Sequence, residues 1–196
     1  MSSQGTQISN ASFDIAKLID TIDFAAKNTH FKNERILQER VPYINHPIGV
    51  AKNLTDAGVY DLVTIQAAIL VVEDTKTTFE EIEQKFGREV KNIVAECTDD
   101  KSLEKEERQR LQIEHTPHIS KQAKEVKLAD KLYNLRDIMK DAPIGWSKKR
   151  VQEYYIWAKK VTDGARGINQ KLEEQLDDIY ANGVFVLQGE EYKCHP

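Results

Sequence analysis

Apolar residues recur at helical spacing along most of this chain, and turn signals separate the runs. Phe13, Ala16, Ile19, Ile22 and Ala26 predict an amphipathic helix over about residues 12–28. Residues 29–41 show no clear period. A loop over 42–47 then leads into a helix ending near Gly58, with Pro47 expected at its first position and Asn45 or His46 as its cap. Residues 61–74 contain the near-continuous apolar run from Ala67 to Val72, which predicts a helix buried on almost every side. Thr78 and Glu81 form a capping box opening a helix that Gly87 closes, and a short helix over 88–97 comes next. A strongly charged helix is expected over 103–115. Ser120 should cap a central helix in which Leu128, Leu132, Leu135 and Met139 share one face. Two more helices are expected, one capped by Ser147 and running to about Ala165, the other over 169–181 and stopped by Gly183. Only Val184-Phe185-Val186-Leu187 looks β-like, and a lone strand is not viable. The pattern predicts an all-α protein with a flexible leader (1–11), a single helical domain (12–183) and an irregular tail (184–196).

Composition narrows the class. With 196 residues, 40% hydrophobic and 31% charged, the chain suits one globular domain with a real core. No apolar run is long enough to cross a bilayer, and the first residues lack the features of a signal peptide. Cys97 and Cys194 lie far apart, so free thiols in a reducing, cytoplasmic setting are expected. A net charge of -4 argues against general nucleic-acid binding, and a phosphorylated ligand would need a local basic pocket.

Three places hold candidate chemistry: His46 at a helix start, Glu73-Asp74 near a helix end, and Asp130 inside an otherwise oily helix. A buried carboxylate needs a partner, which could be a Lys or Arg elsewhere in the fold or a metal ion. A lone His is ordinarily a satisfied core or surface group, and adjacent acids ordinarily a solvated helix end. Together, imidazole and carboxylates suit a divalent ion such as Mn or Zn, and nearby carboxylates can act as acid and base. There is no Gly-rich phosphate loop and no Ser or Cys nucleophile constellation.

In order, the chain carries Pro42-Tyr43-Ile44-Asn45-His46-Pro47-Ile48-Gly49-Val50-Ala51, Val72-Glu73-Asp74-Thr75, Thr98-Asp99-Asp100-Lys101 and Lys127-Leu128-Ala129-Asp130-Lys131-Leu132-Tyr133-Asn134-Leu135-Arg136-Asp137. Over roughly residues 20–182 it resembles the metazoan SpoT homologues, small HD-superfamily hydrolases related to the hydrolase half of bacterial RelA/SpoT enzymes. The resemblance implies a helical HD-domain bundle with a Mn ion. It also implies hydrolysis of guanosine 3′,5′-bis(diphosphate) to GDP and pyrophosphate, with the 2′-phosphate of NADPH as an alternative substrate. By the same resemblance His46 and Asp130 are the first and last metal ligands, and Glu73 and Asp74 orient or deprotonate the attacking water. Lys101, Asn134, Arg150 and Tyr154 line the nucleotide pocket.

One departure bears on all of this. The family pattern Leu-Leu-His-Asp-x-x-Glu-Asp-Thr is here Ile69-Leu70-Val71-Val72-Glu73-Asp74-Thr75, so the adjacent His and Asp ligands are missing between intact flanks. Two residues lost from a helix rotate the chain beyond the gap by about 200° and draw it back by about 3 Å. Metal binding is expected to be weakened and hydrolysis impaired, the alternative being a non-catalytic nucleotide- or partner-binding module. The stretch over 29–35 is also less basic than the corresponding family segment.

Overall fold

The computed structural model describes residues 10–29, 43–70 and 77–196. The expected leader falls largely outside these residues, as do Glu73, Asp74 and the segment over 30–42. The helical segments are α1 (Asn10–Thr29), α2 (Asn45–Asp56), α3 (Leu62–Leu70), α4 (Phe79–Phe86), α5 (Arg88–Cys97), α6 (Lys105–His115), a 3₁₀ turn (Thr116–His118), α7 (Lys121–Lys140), α8 (Lys148–Asp163) and α9 (Gln170–Asn182). The fold is helical, as the periodicity predicts.

Local chemistry explains four of the helix starts among the described residues. Ser120 Oγ accepts from the Ala123 amide, Ser147 from Arg150, and Asn169 Oδ1 from Leu172. Both halves of the Thr78–Glu81 capping box form, at 3.2 and 2.8 Å, and Gly87 ends α4 with φ at +93°. The start of α2 differs from expectation. Neither Asn45 nor His46 is the cap, because both are already helical. The preceding residue, Ile44, has helical dihedrals and gives no side-chain bond, and the His46 amide donates to the Tyr43 carbonyl at 3.0 Å. Pro47 is therefore the third residue of the helix, where its missing N–H is still one of the unpaired first four.

α7 is the axis of the bundle. Ala123, Val126, Leu128, Ala129, Leu132, Leu135 and Ile138 are buried on it, packed by α2, α3, α5, α8 and α9. Tyr155 of α8 is fully buried and donates to the Leu135 carbonyl at 2.7 Å. α3 is buried from Thr64 to Leu70, and its one internal amide, Gln66, donates to Thr21 of α1 at 2.8 Å.

The expected irregular tail is instead a β-hairpin. β1 (Val184–Leu187) pairs antiparallel with β2 (Glu190–Lys193) around a Gln188-Gly189 turn, both residues with positive φ (55° and 86°). Such a two-residue turn matches the right-handed twist of the strands. β1 lies against α7, and the fully buried Phe185 and Cys194 seal the hairpin to the bundle, so the chain end is not frayed. Both cysteines are free thiols, and burial pushes the Cys97 thiol up to about 12. No helix among the described residues is long and apolar enough to cross a membrane.

Candidate functional site

His46, in the first turn of α2, and Asp130, midway along α7, meet although 84 positions apart: His46 Nε2 lies 3.0 Å from Asp130 Oδ1. The imidazole is held between rings, stacked on Tyr43 at 5.9 Å and edge-on to Tyr133 at 4.8 Å. Helix geometry permits the contact because residue 49 is glycine. A Cβ there would stand 2.0 Å from Tyr133 Cε2, so only glycine lets the two helices close this far.

The second carboxylate oxygen of Asp130 accepts from Lys131 Nζ at 3.0 Å and from Asn134 Nδ2 at 3.1 Å. Burial alone would raise this carboxyl. The Lys131 ammonium and the His46 hydrogen bond outweigh it and hold the group far below the usual carboxylate range. Protein groups thus partner both oxygens of the half-buried Asp130.

From this point a row of three rings with a cation at each end runs along α8. Lys131, itself 6% exposed, has Nζ 4.9 Å over the Trp157 ring. Trp157 lies 5.3 Å from Tyr154, Tyr154 5.7 Å from Trp146, and the Arg150 guanidinium 4.5 Å over Trp146. The structure therefore gathers His46, Asp130 and Asn134, and joins Arg150 and Tyr154 to them through residues that sequence reasoning did not single out. Lys131 lies within the last of the four ordered motifs. Nothing in their spacing marks the two tryptophans, Trp146 and Trp157. Lys101 is exposed in the turn between α5 and α6. Glu73 and Asp74 lie outside the described residues.

A metal can be tested against these donors. Two ligands bonded to one ion at 2.0–2.2 Å and at right angles stand about 3 Å apart. The 3.0 Å His46–Asp130 spacing suits a shared ion as well as a shared proton. The donor count does not: among the described residues no group of three or more His, Cys, Asp or Glu could hold a metal, and the sequence contains no adjacent His-Asp pair. The described geometry is a histidine–aspartate pair next to a lysine and a row of stacking faces. That combination suits an anionic, aromatic ligand such as a phosphorylated nucleotide.

A family model described as HD domain matches residues 21–159. Guanosine-3′,5′-bis(diphosphate) 3′-pyrophosphohydrolase MESH1 of Xenopus tropicalis is 54% identical over 179 residues, covering 89% of this chain and 99% of that protein. The Homo sapiens protein of the same name is 53% identical over 170 residues, covering 85% and 94%. A solved structure described as a metazoan ortholog of SpoT that hydrolyzes ppGpp and plays a role in starvation responses superposes with a TM-score of 0.80. It has 42% sequence identity and covers 90% of this chain and 97% of that one.

Proposed function

Since this chain belongs to the HD-domain family, and within it to the MESH1 guanosine-3′,5′-bis(diphosphate) 3′-pyrophosphohydrolases, we propose that it binds guanosine 3′,5′-bis(diphosphate) in the cytoplasm and hydrolyses it to GDP and pyrophosphate only weakly. The observation carrying the reading is the meeting of His46 and Asp130 at 3.0 Å, with Lys131 and Asn134 closed around the same carboxylate.

In this reading His46 and Asp130 are what is left of a Mn centre, and the missing His-Asp pair accounts for the weak turnover. A bound ion would lower the pKa of a water and polarise a phosphoryl oxygen. The described donors do not close a site for it. The chain's own groups still do identifiable work. Arg150 and Lys101 offset the charge of the phosphates, Asn134 faces the nucleotide, and Tyr154 offers a stacking face. Glu73 and Asp74 are assigned to orienting the water and taking its proton. The HD unit spans residues 12–183, with the hairpin added to it.

The test compares the purified chain with a variant carrying His-Asp inserted after Leu70, in the presence of Mn. The chain should bind the nucleotide by calorimetry, retain well under one Mn per molecule, and hydrolyse slowly. The insertion should raise the rate by more than ~100-fold, since losing even groups that only support metal ligands costs about 10–100-fold. Equal rates would overturn the ligand argument. Binding without turnover in both chains would assign a nucleotide-binding module in place of an enzyme.

A further inference from the structure

Directly behind Asp130 lies a partly buried polar cluster that the proposed chemistry does not use. Asn53 of α2, 8% exposed, donates from Nδ2 to the Ala129 carbonyl at 3.1 Å. Its Oδ1 accepts from Arg136 at 3.2 Å, and Arg136 also donates to Gln175 of α9 at 2.7 Å. Arginine can only donate and a carbonyl can only accept, so the amide has one possible orientation. His46, Gly49 and Asn53 succeed one another at helical spacing (i, i+3, i+7) on the face of α2 that meets α7. Ala129, Tyr133 and Arg136 share one face of α7 at i, i+4, i+7.

An apolar residue would be the default at position 53, because a buried amide is costly unless its hydrogen bonds are made. A directional bond to one named carbonyl adds a geometric constraint on how the two helices meet. The carbonyl chosen belongs to the residue just before Asp130. We propose that Asn53, locked by Arg136, is a positioning residue of the centre: it sets the approach of α2 to α7 that carries His46 to Asp130. The inference rests on the nucleotide-hydrolase reading for its consequence but not for its geometry.

Two variants test it. Asn53→Asp keeps an acceptor for Arg136 but turns a second oxygen on the Ala129 carbonyl, so it should fold and yet push the helices apart. Asn53→Leu removes both bonds while keeping the volume. Each is measured for melting temperature, for affinity toward guanosine 3′,5′-bis(diphosphate), and, without ligand, for the NMR cross-relaxation between the His46 and Tyr133 rings. The expected result is a weakened ring-to-ring signal with affinity lowered about 10-fold, at the low end of losses from supporting groups, in whichever variant stays folded. Arg136→Lys, which retains a donor, should lie closer to the parent. A lowered melting temperature with the ring signal and affinity unchanged in both variants would make Asn53 merely structural and overturn the proposal. Should the parent itself fail to bind the nucleotide, the functional reading falls, and the ring signal still decides the positioning role.

Discussion

Replacing Gly49 with alanine tests the close approach of α2 and α7 most directly, because two opposing effects can be separated by their sign. The added Cβ would sit 2.0 Å from Tyr133 Cε2 and 2.4 Å from Cδ2, whereas ordinary contact begins at 3.4 Å. The ring cannot swing aside without leaving His46, against which it stands edge-on at 4.8 Å. Either the ring leaves or the helices part. Overpacking of this kind costs roughly 1–3 kcal/mol, equivalent to about 2–12 °C in melting temperature for a chain of this size. In the absence of Tyr133 the same substitution should do the reverse, since alanine is favoured over glycine inside a helix by about 1 kcal/mol. Thermal and urea melts of Gly49→Ala, Tyr133→Ala and the double variant complete the cycle. Destabilisation in the parent and stabilisation in the Tyr133→Ala background are expected. The same cost in both backgrounds would refute the steric account.

Acid sensitivity originates at Asp130, whose folded-state carboxyl is held below its ordinary value. The unfolded chain then takes up the proton first, so this contribution is complete above the ordinary carboxylate value of about 3.9 and drains away as pH falls below it. Melting temperature plotted against pH should show the gap between parent and Asp130→Asn narrowing on acidification, and parallel curves would contradict the assignment. Phe185→Ala should destabilise by about 3–5 kcal/mol in urea titrations, because a fully buried ring is removed from the hairpin seal. A change within ~0.5 kcal/mol would return the tail to the irregular state expected from the sequence.

Legibility tracked the range of the interaction that fixes each feature. Ser120, Ser147 and the Thr78–Glu81 pair act within one turn of themselves, and the sequence placed them correctly. The start of α2 was misplaced because it is set by the backbone turn at Tyr43 and Ile44, which leaves no side-chain signature. The hairpin was missed because its partner strand, Glu190-Glu191-Tyr192-Lys193, is charged and almost fully exposed. Only alternate residues of β1 face the bundle, so four residues cannot show a period. At the centre, a carboxylate on an oily face announced that it needed a partner. The partner's identity, a histidine 84 residues away, came from the family resemblance and not from spacing.

The groups that set His46 against Asp130 bear on how far the missing His-Asp pair matters. Gly49 and Asn53 lie on α2, Tyr133 and Arg136 on α7, and Gln175 on α9. None of them belongs to α3, the helix after whose last described residue, Leu70, the family pattern places its His and Asp. The groups that set His46 against Asp130 thus come from α2, α7 and α9, while α3 packs against both α2 and α7. Inserting two residues is a fair trial of the lineage. It asks whether the His46–Asp130 pair can be completed, and it needs no redesign of the helices that hold it.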